Sequence, residues 1–314
     1  MTIDDTEQRT PTDPTGAAAE AEADTEVALA SLSQWQLAAR RFRRHKMALI
    51  GVVIFTMMVL VAVFGPVVNP YVFAHIPGAA RAGGDPPSGQ HIFGTTSEGR
   101  DVFQQVINGA RVSMLVGGVS TLIAGVIGVI VGAMAGYFGG LVDNILMRLV
   151  DVLFAIPFLF VILIAARFFG EGQVSSLILI FGFLSWPLIA RLVRASFLSL
   201  READFVEAAR AVGVSNVRIA FRHILPNALG PVIVAMTLLM AGIIVTEAFV
   251  SFLNFGIRET EVSWGNALAN AQNALKLGNW WWSFFPGMAI ALTVIAINFM
   301  GDGLRDALDP RSRE

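Results

Sequence analysis

The sequence predicts an all-α integral membrane protein that crosses the bilayer six times. Three observations carry this. Of 314 residues, 55% are hydrophobic and only 15% are charged, against about 25% charged in a soluble domain, and the mean hydropathy is +0.65. The charges gather in short segments and leave long uncharged runs between them. Six of those runs reach or approach the roughly 20 apolar residues that a helix needs to cross a hydrocarbon core. One such run also fits a buried helix of a soluble protein; six in series do not.

In chain order, residues 1–30 are rich in Ala, Thr, Pro, Asp and Glu. They cannot bury a core and are expected to form a disordered cytoplasmic tail. No basic segment followed by an apolar one opens the chain, so a signal peptide is not expected. Residues 31–46 read SLSQWQLAARRFRRHK, with Trp35, Ala38, Ala39 and Phe42 on one helical face and arginines on the other. That pattern predicts an amphipathic helix in the membrane interface; the simpler alternative is a basic flank of the first span. A membrane domain over 47–307 follows, and residues 308–314 form a C-terminal tail. Its spans are expected at about Met47–Val68, between Arg111 and Asp143, and at about Ile145–Ala166, Val174–Ala190, Ala228–Phe252 and Ser283–Met300. Gly117, Gly118, Gly125, Gly128, Gly132 and Gly136 punctuate the second span, a spacing that lets another helix approach closely. In the third, Arg148 and Asp151 are three residues apart, which allows a structural ion pair. Asn298 and Asp302 are expected to terminate and anchor the last span.

Basic residues orient the chain, since they concentrate on the cytoplasmic side. With a cytoplasmic N-terminus, sixteen of the 22 Lys and Arg residues fall inside, and only Arg81, Arg100, Arg111, Arg167, Arg258 and Lys276 fall outside. Both termini are therefore expected in the cytoplasm. Two outside loops, 69–109 and 254–282, are long; the second ends in Trp280, Trp281 and Trp282, residues suited to the membrane–water interface. The inside loop 195–227 is the longest cytoplasmic piece with helical character.

Residues 202–231 of that region read EADFVEAARAVGVSNVRIAFRHILPNALGP. Asp204 is placed to cap a short helix carrying Glu207, Ala208 and Ala209. Gly213 is placed to end it, and Ser215 to cap a second helix running to Pro226. The expected product is an elbow with a small-residue surface and an exposed carboxylate. It either receives a partner or is an ordinary solvated loop.

At these residues the chain resembles the inner-membrane permease subunits of ATP-binding cassette importers. Glu207-Ala208-Ala209, Gly213 and Leu225-Pro226 match their cytoplasmic signature, with His223 replacing the usual isoleucine. GTTSEGRDVFQQVINGARVSM at 94–114, GYFGGLVDNILMRLVDVLFAIP at 136–157 and FPGMAIALTVIAINFMGDGLRDALDPR at 285–311 are similar to the dipeptide and oligopeptide branch. The opening QWQLAARRFRRHKMALIGV is similar to its C-type permease. Gly94-Thr95-Thr96 stands where that family usually has Gly-Thr-Asp, so any role of the aspartate is in doubt here.

The resemblance implies the type I importer permease fold in a bacterial cytoplasmic (inner) membrane. It implies a homologous second permease, two ATP-binding subunits that hold ATP and Mg, and an extracytoplasmic substrate-binding protein. Glu207 to Gly213 would be the coupling helix, with Leu225 and Pro226 behind it. A nickel or other small-solute permease of the same family is the nearby alternative.

Several chemistries are excluded or unsupported. The only lysines, Lys46 and Lys276, have no Gly before them and no Ser or Thr after them, so no phosphate-cradling Walker A loop exists. His45, His75, His91 and His223 show no metal-ligand spacing, and no catalytic constellation appears. The chain reads as a transport subunit, not an enzyme, with no cofactor of its own and no nucleic-acid partner. There is no cysteine, so disulfides and thiolate sites are absent. Glu247 lies late in the fifth span, where an ionisable residue faces protein or water. It reads either as a pathway or gate residue, touching a proton or a solute amino group, or as a hydrogen-bonded structural carboxylate. The pathway reading would suit a different class, an ion-driven secondary carrier.

Overall fold

The computed structural model describes residues 34–70, 84–170, 172–258 and 261–309. The tail 1–30, residues 71–83 of the first outside loop and residues 310–314 lie outside the described residues. All described elements are helical, apart from an isolated bridge between Thr95 and Asp101. In order they are α1 Gln34–Arg44, α2 Lys46–Val68, α3 Val102–Phe138, α4 Gly140–Ala155, α5 Phe158–Ala165 with a π turn Ala166–Gly170, and α6 Val174–Leu200. Then come α7 Asp204–Ala211, α8 Asn216–Arg218, a π stretch Ile219–Ile224, α9 Leu225–Phe252, α10 Trp264–Asn270, α11 Gln272–Lys276 and α12 Trp281–Leu308.

Polar side chains set several of these ends. His45 breaks α1 from α2, and its Nδ1 accepts from the Ala48 amide at 3.1 Å. Asp101 caps α3, accepting from the Phe103 amide at 2.7 Å, and also pairs with His91 at 2.9 Å. This cap starts α3 at Val102, so the outside loop expected to run to residue 109 ends at residue 101. The departing Thr96 is buried and its hydroxyl accepts from the Arg100 amide at 3.2 Å, closing the turn before α3.

Other boundaries also move. The expected third span is two helices, bent by 83° at a break containing Pro157. α6 runs to Leu200, so the loop expected on the cytoplasmic side opens at Arg201 rather than residue 195. Asn298 and Asp302 do not end the last helix, which continues to Leu308. Asp151 pairs with Arg191 of α6 at 2.5 Å instead of with Arg148. Both are carried by helices that cross, and a bridge between helices competes successfully with one along a single helix.

Five helices are long and apolar enough to cross a membrane, and the bent pair α4–α5 makes six crossings if it counts as one. Helix directions require that count. Ser120 donates to the Ile178 carbonyl at 3.0 Å. A Cβ on Gly128 would lie 2.6 Å from Ile189, and one on Gly136 would lie 2.5 Å from Phe197. Contacts that advance together mean α3 and α6 are parallel, so the chain between them must return across the bilayer through α4 and α5. α9 is antiparallel to α3, since Ser113 meets Glu247 while Gly125 meets Met236. α12 is antiparallel to α2, with Gly51 against Ala296 and Gly303 against Ala48. The start of α2 and the end of α12 therefore share one side, where His45 lies 3.4 Å from Asp306.

Of the six glycines expected to admit another helix, Gly117, Gly125, Gly128, Gly132 and Gly136 do so, whereas Gly118 has no close neighbour. Their missing side chains let α6 and α9 pack against backbone, which is how helices gain dispersion energy in lipid. α1 rests on the same end of the bundle: Ala38 is buried, Phe42 lies against Gly303, and Arg41 donates to the Asp309 carbonyl at 3.0 Å. Its Arg40, Arg43 and Arg44 are exposed.

Candidate functional site

Beyond α6 the chain leaves the bundle and returns as an elbow. α7 is seated by Val206, fully buried, and Ala209, one turn apart on its inner face. They pack with Tyr137 of α3, Val193 and Phe197 of α6, and Ala228 and Val232 of α9. Asp204 does not cap α7, because the helix starts one residue earlier with Ala203 in the cap position. Ser215 stands at the cap of α8 but makes no side-chain cap bond.

Gly213 does end α7. Its φ is +76°, the left-handed region that glycine enters without a Cβ penalty. The Gly213 amide donates to the Arg210 carbonyl at 3.0 Å, and the Val214 amide donates to the Ala209 carbonyl at 3.1 Å. These two bonds are the Schellman closure. The closure turns the chain back, so that α8 and the π stretch run unbroken into α9. Tyr137 donates to Asn216 at 2.9 Å and fixes the corner to α3.

Glu207, Ala208 and Arg210 all face solvent, as does Pro226, while Leu225 packs on the cluster that seats α7. The elbow also exposes Phe205, Val217, Phe221 and Val212, the last 80% exposed. Sequence reasoning missed these apolar side chains, because period alone does not say which face a short helix buries. Together they leave apolar side chains bare at the tip of the elbow.

Glu247 sits elsewhere, five residues before the C-terminal end of α9, and is 0% exposed. Its two oxygens accept from the Ser113 hydroxyl of α3 at 3.0 Å and the Ser251 hydroxyl at 2.8 Å. Ser113 in turn accepts from the Trp264 amide at 3.3 Å. Trp264 is fully buried, and its indole N–H donates to the Val106 carbonyl at 2.9 Å. Gly265 lets α10 touch the α9 backbone, since a Cβ there would lie 2.6 Å from the Ala248 oxygen. The carboxylate thus clasps α3, α9 and the short helix α10 together. Glu247→Leu removes the acceptor of two buried hydroxyls, each costing about 1–3 kcal/mol. The expected result is a lower melting temperature in detergent, with Glu247→Gln intermediate; an unchanged melting temperature for Leu would contradict the clasp.

Of the three tryptophans that open α12, Trp280 is exposed, whereas Trp281 and Trp282 turn inward and are buried. Trp281 donates to the Thr95 carbonyl at 3.3 Å and ties α12 to the loop before α3.

The family profile described as binding-protein-dependent transport system inner membrane component matches residues 128–314. The chain belongs to this family. A second profile, the N-terminal TM domain of oligopeptide transport permease C, matches residues 33–81 of this permease. The dipeptide transport system permease protein DppC of Bacillus subtilis is 39% identical over 292 residues, covering 93% of this chain and 90% of the relative. The oligopeptide transport system permease protein OppC of Bacillus subtilis is 37% identical, covering 95% and 96%. OppC of Escherichia coli K12 is 38% identical, covering 90% and 92%. A solved structure of the MetNI methionine ABC transporter shares the fold, with a TM-score of 0.53 at 21% identity, over 66% of this chain and 97% of that one.

The permease is accordingly the membrane half of an ATP-binding cassette importer, a multi-pass inner-membrane transport component and not an enzyme. Family membership replaces the ion-driven carrier, and with it the need for Glu247 to carry a proton. It also implies ATP-binding subunits, a second permease and a binding protein around this chain.

Proposed function

We propose that this permease moves di- and oligopeptides across the bacterial cytoplasmic membrane, driven by ATP-binding subunits that grip its elbow. High identity over nearly the whole length of dipeptide and oligopeptide permeases supports the substrate class. Both termini lie in the cytoplasm, a reading supported by the distribution of basic residues. A homologous second permease completes the pathway, and an extracytoplasmic binding protein delivers the peptide. ATP and Mg are held by the ATP-binding subunits.

The elbow carries the mechanism. Glu207, Ala208 and the glycine-ended turn at Gly213 form the coupling helix, and Phe205, Val212 and Val217 add apolar grip. Behind it Leu225 and Pro226 open α9, and Asn216–Phe252 is one continuous helical segment of 37 residues. Closure of the ATP-binding subunits around α7 would therefore swing α9, and with it the packed bundle, as a rigid body.

The test is uptake into proteoliposomes containing this permease and its partner subunits, with ATP inside or outside as orientation demands. ATP-dependent accumulation of a labelled dipeptide is expected. Accumulation of nickel ions without peptide would replace the substrate class and leave the mechanism standing.

A further inference from the structure

The break between α4 and α5 leaves polar groups deep in the membrane. Pro157 has no N–H, so the Leu153 carbonyl loses its helical donor, and the remaining carbonyls of the last turn of α4 end there too. Irregular backbone at membrane depth is tolerated only where protein or a water-filled cavity covers it. Depth follows from the contacts of α4 with α6. Asp143 meets Arg194 and Asp151 meets Arg191, so α4 runs antiparallel to α6. Its carbonyl end arrives beside Ser185, near the middle of the 27-residue α6.

A cavity of about 310 Å³ opens at this break, lined by Phe154, Pro157, Phe158, Ser185, Leu188 and Leu239 among others. Ser185 is only 6% exposed, and its hydroxyl has no hydrogen-bond partner. Pro187, also in the wall, takes the donor from the Phe183 carbonyl. The orphan backbone groups here are acceptors, and the C-terminal end of a helix carries negative dipole charge. Arg191 stacks 4.4 Å over the Phe154 ring, but Asp151 holds it and it does not line the cavity. The remaining walls are apolar.

We propose that this cavity receives the protonated amino end of the transported peptide. The ammonium donates to the carbonyls that end α4 and to the Ser185 hydroxyl, and the first side chain rests on Phe154, Phe158 and Leu188. The proposal rests on the peptide reading above. It assigns the amine to this break and not to Glu247, whose oxygens are filled by serines.

The chain lacks cysteine, so Leu188→Cys, at an exposed wall position, gives this subunit a single label site. The assembled transporter, purified in detergent, is treated with a cationic and an anionic methanethiosulfonate; the cysteine-free chain in the same complex is the control. After correction for rates on free cysteine, the cationic reagent is expected to react about tenfold faster. A saturating dipeptide should slow labelling, and the N-acetylated dipeptide should not. Equal corrected rates, or equal protection by both peptides, would overturn the proposal. Ser185→Ala should raise the dipeptide KM about fivefold without changing that of the N-acetylated form; an unchanged KM removes the hydroxyl from the site. Wild-type uptake is measured in parallel. No dipeptide uptake there defeats the peptide reading, whereas a lost charge preference with uptake intact defeats only the amine site.

Discussion

Gly213→Pro combined with Glu207→Arg is expected to reduce ATP-driven uptake to background while the permease still inserts and purifies with its bundle folded. At φ +76° the backbone is far from the −65° that proline imposes, and the substitution deletes the amide that closes on Arg210. The cost is about 3 kcal/mol or more, and it falls on the turn alone, because nothing lies within 4 Å of a Cβ at position 213. Glu207→Arg inverts the charge of the exposed face without touching Val206 or Ala209, which seat the helix. Gly213→Ala should lie between, since a left-handed alanine costs about 1–2 kcal/mol. Uptake in proteoliposomes and elution volume in detergent read the two halves of this expectation separately. Retained uptake in the double variant would remove the elbow from the coupling path.

A second large effect is expected at Gly132, on the α3 face that receives α6. A Cβ there would lie 2.5 Å from the Ala190 carbonyl and 2.7 Å from Val193. Both are backbone or β-carbon atoms on a helix already fixed by Gly128 and Gly136 on either side, so neither can swing away. Gly132→Leu must push α6 off α3, and overpacking in tight cores costs about 1–3 kcal/mol or more. Loss of monodisperse complex on size exclusion is expected. Gly242→Leu, at a position with nothing within 4 Å of its Cβ, is the matched control and should purify normally.

Much of this architecture is legible in the sequence. Length and apolarity place the spans, and the four-residue glycine spacing correctly predicts close helix contact along α3. The Glu207–Gly213 motif marks the elbow, and Gly213 alone announces its turn, because only a left-handed residue closes the helix there. Other features depend on tertiary contacts that a linear pattern cannot contain. Arg148 and Asp151 have helical spacing, but Arg191 arrives from another helix and takes the carboxylate. Pro157 signals a break, yet the 83° bend and the cavity beside Ser185 arise from how α4 crosses α6. Glu247 stands out by its charge, while its serine partners come from residue 113 and from the same helix. Asp302 looks like a helix end, but α12 runs past it to Leu308.

ATP-binding subunits are proposed to drive this permease at its elbow. Ala208→Cys, on the exposed face of α7 in a chain with no other cysteine, tests it most directly. The tagged variant is purified from its native membrane, treated with a short thiol-to-amine cross-linker, and the products are identified by mass spectrometry. The expected product is a cross-link to a subunit carrying a Walker A loop, formed at lower yield in the Gly213→Pro background. Recovery of the permease without any ATP-binding subunit, or cross-links confined to its own copies, would contradict it.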